Sequence, residues 1–182
     1  MVIVILGYTG LIGNNILDNL IKNKSLNIIC VGRNIKNKPY KNSKIQYRKW
    51  DFNTFKKSNV LFLKKADIII NCVGKIENDL SNFESINFIF VKKLLEYINS
   101  HKLRVRLIHL GSISVYGTSK NYFGRYKLIS ENSVIRANDL YSKNKLEGDL
   151  LIQNVIILKI DYELADLTIK SISSLKDFNK FI

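Results

Sequence analysis

Short apolar runs alternate along the chain with longer amphipathic segments. Most of the runs are continuous and rich in β-branched residues, as expected for strands of a parallel sheet that is covered on both faces. In the amphipathic segments apolar residues recur at helical spacing, as Phe90, Leu94 and Ile98 do. The pattern predicts strands at residues 2–6, 26–31, 45–50, 67–73, 104–110 and 155–160, and helices at 11–24, about 55–65, 86–101 and about 139–153.

This alternation of strand and helix predicts the order of the fold. Strands that alternate with helices form βαβ units with right-handed crossovers, so we expect an α/β fold with a doubly wound parallel sheet of the Rossmann type. The run 45–50 contains several polar residues, which indicates an edge strand, and the third strand lies at an edge in this architecture. We expect one domain over residues 1–160, followed by a short helical tail, residues 161–182, that packs on it.

A glycine-rich turn separates the first predicted strand from the first predicted helix. Gly7 permits a sharp turn, Gly10 lets backbone N–H groups approach a phosphate, and Gly13 allows the helix to pack closely on the strand. The helix that follows presents free N–H groups and a partial positive charge. A glycine triplet between a strand and a helix at the start of a βαβ series predicts a dinucleotide-binding turn.

Composition narrows the choice of partners. The net charge is +14, but the lysines are scattered in pairs between apolar residues, which is typical of solvated helix faces. No stacking aromatic residues interleave with them, so a nucleic-acid binder is disfavoured. Cys30 and Cys72 lie in apolar runs without metal-ligand spacing, as buried thiols of a reducing compartment would, and no metal site is expected. No apolar run reaches transmembrane length and no leader precedes the first strand, so we expect a cytoplasmic protein that does not bind a membrane.

Further motifs follow the glycine turn in a fixed order. Asp51 follows the third predicted strand, the segment 71–74 reads Asn-Cys-Val-Gly, the segment 110–117 reads Leu-Gly-Ser-Ile-Ser-Val-Tyr-Gly, and Tyr141 and Lys145 form a YxxxK motif. With its GxxGxxG spacing, the chain over about residues 1–160 resembles the NAD(P)-dependent epimerase/dehydratase family of extended or atypical short-chain dehydrogenases.

The resemblance implies an oxidoreductase or epimerase/dehydratase-type enzyme that acts on a sugar with a nicotinamide dinucleotide, and it favours a nucleotide-linked sugar. It places the catalytic role on Tyr141, Lys145, Ser112 and, more weakly, Asn87. It implies contacts to the cofactor from Gly7, Thr9, Gly10, Leu11, Ile12, Gly13, Arg33, Asp51, Phe52, Cys72, Val73, Gly74, Tyr141 and Lys145.

The chemistry of the YxxxK pair follows from its spacing. Tyr141 and Lys145 are four residues apart on a predicted helix, so both side chains lie on one face. A neighbouring ammonium favours the tyrosinate, which can then exchange a proton with a substrate hydroxyl or carbonyl. Ser112, at the carboxyl end of the fifth predicted strand, can donate a hydrogen bond to the same oxygen. His101 and His109 are expected to be structural.

The choice of dinucleotide depends on the end of the second predicted strand. NAD enzymes usually place an acidic residue there to bind the ribose 2′-hydroxyl, but this chain reads Val31-Gly32-Arg33. Arg33 can pair with a 2′-phosphate, so NADP is preferred and NAD remains possible. The alternative is that Arg33 is a solvated surface residue.

The chain differs from the family after the sixth predicted strand. The family continues there into a domain that binds a nucleotide-linked sugar, whereas only residues 161–182 follow in this chain. A small substrate pocket is expected over residues 118–139, with Tyr122, Phe123 and Tyr126, or a partner subunit of a homodimer supplies it. The alternative function is a non-catalytic dinucleotide-binding module that senses the cofactor or scaffolds partners.

Overall fold

The computed structural model describes residues 1–35, 38–75, 85–117, 129–130 and 132–159. The chain divides into two compact units, Met1–Leu110 and Gly111–Ile182, and each is described by itself below. The predicted tail, residues 161–182, and the predicted domain boundary before it lie outside the described residues.

The first unit contains a five-stranded parallel sheet. Its strands are β1 (Val2–Leu6), β2 (Asn27–Gly32), β3 (Ile45–Lys49), β4 (Ile68–Asn71) and β5 (Arg106–His109). They lie in the order β3-β2-β1-β4-β5, and each neighbouring pair is parallel. This is the Rossmann-type doubly wound order, so the predicted fold class is confirmed. The polar strand β3 lies at an edge, as predicted.

Helical segments connect these strands in the residues that the structure describes. Helix α1 (Leu11–Leu20) follows β1, and a 3₁₀ helix over Lys57–Lys65 precedes β4. A π-helical turn over Ser85–Ile89 runs directly into helix α2 (Phe90–Ser100). Helix α2 buries Phe90, Leu94, Leu95 and Ile98, the apolar face that the periodicity predicted.

An aromatic cluster forms much of the core of this unit. The ring of Trp50 contacts the rings of Phe52, Phe55, Phe62 and Phe90 at centroid distances of 5.4, 5.3, 6.1 and 5.2 Å. The cluster belongs to a larger apolar core that includes alternate residues of β1, β2 and β4. On the opposite face of these strands the apolar residues are also buried, so both faces of the sheet are covered: Ile3, Ile5, Ile28, Cys30, Ile68 and Ile70.

The described part of the second unit consists mainly of a 3₁₀ turn over Ile113–Tyr116 and helix α3 (Leu140–Lys159), which contact each other. Asp139 caps the first turn of α3 through reciprocal bonds: Asp139 Oδ1 accepts from Ser142 N at 2.8 Å, and Ser142 Oγ accepts from Asp139 N at 3.2 Å. Such a cap satisfies N–H groups that a helix start leaves unpaired. It also lowers the pKa of Asp139.

The prediction of a sixth strand at residues 155–160 is wrong. Residues 155–159 continue helix α3 to Lys159, and Ile160 lies outside the described residues. A short apolar run of this kind cannot be assigned to strand or helix by periodicity alone. Here no proline interrupts the segment after Asp139, so a helix that has already formed continues at little cost.

Two further predictions concern the cysteines and the membrane. Cys30 and Cys72 are free, and burial raises the pKa of each thiol to about 12, which makes both unreactive near neutral pH. Within the described ranges, the structure contains no helix whose length and apolarity would let it cross a bilayer.

Candidate functional site

The turn between β1 and α1 is shaped by two glycines. Gly7 has a φ of +81°, in the left-handed region that glycine adopts without strain. Gly13 lies in the first turn of α1, where an added Cβ would be 2.3 Å from the Gly7 carbonyl oxygen and 2.8 Å from Tyr8 Cα. Only a residue without a side chain lets α1 begin this close to the strand.

The start of helix α1 is accessible. Gly10 occupies the N-cap position with an extended backbone, and it has no side chain to bond the helix N–H groups. Leu11 and Ile12, which follow it, are 82% and 54% exposed. Unpaired N–H groups at an accessible helix start are a ready site for phosphate oxygens. The geometry therefore fits a dinucleotide at the predicted positions.

Two neighbouring strand ends lie against this turn. Gly7 is so close to the end of β4 that an added Cβ would be 3.1 Å from the Cys72 carbonyl group and 3.2 Å from Val73 N. At the end of β2, a Cβ on Gly32 would be 3.2 Å from Thr9 Cγ2. The exposed Arg33 follows Gly32 directly. The structure thus brings together most of the residues that the sequence predicted for cofactor binding in this unit.

Asp51 and Phe52 follow strand β3 and differ in their surroundings. Asp51 is exposed, and its Oδ1 accepts hydrogen bonds from Asn53 N at 3.2 Å and Asn53 Nδ2 at 3.1 Å. The ring of Phe52 is buried in the aromatic cluster, where it contacts Phe90 at 5.2 Å. A cofactor contact from Phe52 is therefore restricted to its backbone.

Buried amides hold the exit of β4. Asn71 Nδ2 lies 2.9 Å from His109 Nδ1 on β5, and Asn71 Oδ1 accepts from Val73 N at 3.1 Å. Asn87 accepts from Lys75 N at 3.1 Å and donates to Lys75 O at 2.9 Å. Both polar atoms of the Asn87 amide thus bond to the backbone of Lys75, which follows Gly74.

The remaining predicted catalytic residues lie in the second unit. Ser112 precedes the 3₁₀ turn, and its Oγ accepts from Ser114 N at 3.3 Å and lies 2.8 Å from Ser114 Oγ. Tyr141 and Lys145 lie on helix α3, one turn apart, as predicted. Tyr141 is half-buried, whereas Lys145 is only 3% exposed.

A third residue on this helix was missed by the sequence analysis. Asp149 lies one turn beyond Lys145, and the two charges interact. Burial lowers the pKa of Lys145, an effect that the charge of Asp149 opposes; burial raises the pKa of Asp149 to about 6, which the charge of Lys145 opposes. The signal was present in the sequence, as an acid four residues after Lys145.

Comparison with known proteins identifies the family. The sequence profile of the NAD-dependent epimerase/dehydratase family matches residues 3–158, which is most of the chain. The chain belongs to this family. The resemblance that the motifs indicated is confirmed, and the family match extends over both units.

Solved structures share the fold of this epimerase/dehydratase family member. UDP-glucuronic acid 4-epimerase from Bacillus cereus, in complex with NAD, is 21% identical with a TM-score of 0.70, over 86% of this chain and 53% of its own. dTDP-glucose 4,6-dehydratase from Bacillus anthracis, in complex with NAD, is 19% identical with a TM-score of 0.69, over 91% and 52%. UDP-Glc/GlcNAc 4-epimerase from Campylobacter jejuni is 18% identical with a TM-score of 0.71, over 87% and 50%.

The chain spans about half the length of these structurally similar proteins. No curated protein gave a match to its sequence. The residues predicted to line a substrate pocket, Tyr122, Phe123 and Tyr126, lie outside the described residues. Across the described ranges, no three His, Cys, Asp or Glu side chains are grouped as a metal ion would require.

Proposed function

We propose that this family member binds a nicotinamide dinucleotide and uses it to oxidise or reduce a carbon of a nucleotide-linked sugar. The observation that carries the proposal is the turn at the carboxyl end of β1, where a Cβ on Gly13 would be 2.3 Å from the Gly7 carbonyl oxygen. In the order β3-β2-β1-β4-β5 this turn lies at the point where the strand order reverses, which is where such sheets bind ligands.

The pyrophosphate is assigned to the N-terminus of α1. The N–H groups of Leu11, Ile12 and Gly13 belong to the first helical turn, which donates to phosphate oxygens in such turns. Asp51 and Phe52 would contact the adenine side, and Cys72, Val73 and Gly74 would line the cofactor at the end of β4. Similar solved structures contain NAD, and two of them contain UDP-glucuronic acid as well, which supports this class of cofactor and substrate.

We assign the transfer of the sugar hydroxyl proton to residues of the second unit. When bound, the dinucleotide supplies the hydride acceptor or donor. Tyr141 would take the proton of the sugar hydroxyl as that carbon is oxidised, and the ammonium of Lys145 would favour the tyrosinate. Because a serine oxygen accepts two bonds and donates one, Ser112 can accept both bonds from Ser114 and still donate to the sugar oxygen.

Binding and turnover test the two halves of the proposal separately. NADH and NADPH are titrated by their fluorescence into the wild type and into Gly10→Val, whose added Cβ meets only the Gly7 carbonyl oxygen, at 3.4 Å. We expect the wild type to bind and Gly10→Val to remain folded without binding. Equal affinity of the two proteins would contradict the assignment of the pyrophosphate.

Turnover is then measured on a panel of nucleotide-linked sugars. Tyr141→Phe removes only the phenolic hydroxyl, which exchanges the proton, so the rate is expected to fall about 10²–10⁴-fold while dinucleotide affinity is unchanged. A wild type that binds the dinucleotide but turns over none of the sugars would instead favour the non-catalytic binding module.

The choice of NADP is tested at Arg33. This residue is exposed, and no acid lies at the end of β2 to bind the ribose 2′-hydroxyl. Arg33→Ala is expected to weaken NADPH about tenfold and NADH much less, because a charged hydrogen bond to the 2′-phosphate is lost. Arg104→Ala is the matched control, since Arg104 is equally exposed but precedes β5 at the opposite edge of the sheet. Equal losses for both cofactors would rule out this role.

A further inference from the structure

Helix α3 carries a pair of opposite charges, the buried Lys145 and the half-buried Asp149, beside the proposed proton-transfer residue. Lys145 is 3% exposed, and Asp149 lies one turn further along the same face of the helix. Tyr141 lies one turn before Lys145 on that face. The three side chains thus form a continuous row, with Lys145 in the middle.

The carboxylate of Asp149 is placed by the backbone as well as by the helix. A Cβ on Gly111 would be 3.0 Å from Asp149 Oδ2 and 3.4 Å from Oδ1, with the carboxyl carbon at 3.5 Å. Gly111 directly precedes Ser112 and has no side chain to push the carboxylate away. The absence of a side chain at Gly111 therefore keeps room for the acid at this level of the helix.

A pair of opposite charges that is largely removed from water is a costly way to fill this space. Replacing such a pair by two apolar side chains of similar size often leaves the stability of a protein unchanged or increases it. Removing one partner alone instead leaves an uncompensated charge. Burial favours the neutral form of Lys145, and the charge of Asp149 is what opposes that effect. Tyr116 is the titratable residue of the neighbouring 3₁₀ turn in this unit.

Resting on the proposed function, we propose that Asp149 is a positioning residue that keeps Lys145 charged and in place for Tyr141. It acts through Lys145 and does not itself touch the substrate. The pair then explains how an ammonium remains available in an environment that excludes water.

The first test measures Lys145 directly in the protein without cofactor. Competitive labelling of amines across a pH series, read by mass spectrometry at the peptide that contains Lys145, gives the pH at which this amine loses its proton. We expect this midpoint to fall by about one pH unit in Asp149→Asn, because an opposite charge is removed. Glu147→Gln removes the same charge from an exposed position of the same helix and is expected to leave the midpoint unchanged.

A second variant protects the test against misfolding of Asp149→Asn. Gly111→Ala changes no charge, but its Cβ would be 3.0 Å from Asp149 Oδ2, so the carboxylate must shift by a few tenths of an ångström. Its midpoint is expected to move in the same direction as that of Asp149→Asn. Thermal melts confirm that each variant is folded before it is labelled.

The outcomes separate this proposal from the proposed function. A midpoint that is the same in the wild type, Asp149→Asn and Gly111→Ala would overturn the role of Asp149. A lowered midpoint, with NADH affinity that declines at lower pH than in the wild type, supports it. A lowered midpoint in a protein that binds neither NADH nor NADPH would support the effect of Asp149 on Lys145 and overturn the proposed function.

Discussion

The two units of the chain treat buried polar side chains differently. In the described part of residues 1–110, Asn71, Asn87 and His109 are buried, and their polar atoms bond to one another or to the backbone. The buried polar atom without a hydrogen-bond partner in these residues is the hydroxyl of Tyr97, which carries no charge. In the described part of the second unit, Asn144 buries an amide nitrogen that has no partner, and Lys145 buries an ammonium. An unsatisfied or charged buried group costs free energy. The second unit therefore carries groups that stability alone would not select.

The proposed sites differ in the same way. In the first unit the cofactor turn is made of backbone atoms, and its shape depends on side chains that are missing at Gly7 and Gly13. In the second unit the site consists of side chains, the hydroxyls of Ser112 and Tyr141 and the charge of Lys145. Substitutions at Gly7 and Gly13 are thus expected to act on folding, and those in the second site mainly on chemistry.

The largest effect on stability is expected at Gly13. Its added Cβ meets backbone atoms at 2.3 and 2.8 Å, so Gly13→Ala must move α1 away from β1. We expect the free energy of unfolding to fall by about 3 kcal/mol, measured by urea denaturation. Gly10→Ser is the control, because serine is a favoured N-cap residue and the extended backbone there accepts it. Similar losses in both variants would show that the Gly13 contact is not the cause.

A smaller loss is expected at the bond between β4 and β5. His109→Phe removes the acceptor of Asn71 Nδ2 and leaves a buried donor unpaired, which costs about 2 kcal/mol. Replacing Asn71 by Leu in the same protein removes that donor, although Val73 N then loses its acceptor. Urea denaturation of His109→Phe tests this expectation. A free energy of unfolding equal to that of the wild type would mean that the bond contributes nothing to the stability of the first unit.

The same substitution in each unit gives the sharpest comparison and the smallest change. Asn87→Leu breaks two bonds to the backbone of Lys75 and is expected to cost about 2 kcal/mol. Asn144→Leu removes an amide nitrogen that has no partner among the described residues. The free energy of unfolding should therefore rise by about 1 kcal/mol at most. A large loss for Asn144→Leu would end the distinction between the two units.

The sheet was predictable because each of its strands gives a strong local signal. Strand β1 was predicted with its observed bounds, and the polar residues of β3 identified the edge. The strand prediction for residues 155–159 was wrong because a short apolar run is compatible with both strand and helix. The choice between them depends on the helix that precedes the run. The segment predicted as a helix near 55–65 forms a 3₁₀ helix over Lys57–Lys65, a difference that periodicity does not resolve.

The candidate site was predictable to the extent that motifs mark it. The glycine turn and the spacing of Tyr141 and Lys145 can be read from the sequence, and the structure places them on the expected elements. The pairing of Asn71 with His109 joins residues 38 positions apart and depends on strand order, so no local pattern announces it. Asp149 could have been predicted from its spacing to Lys145, but its contact with Gly111 depends on the path of the backbone.

The aromatic cluster in the first unit has a spectroscopic consequence. Trp50 is the only tryptophan of the chain, and it is buried among phenylalanine rings. Its emission therefore reports on the unit Met1–Leu110 alone, whereas circular dichroism at helical wavelengths also follows α3. Two denaturation curves that coincide would mean that both units unfold in one cooperative step, and two separated curves would make each unit's stability measurable without cutting the chain.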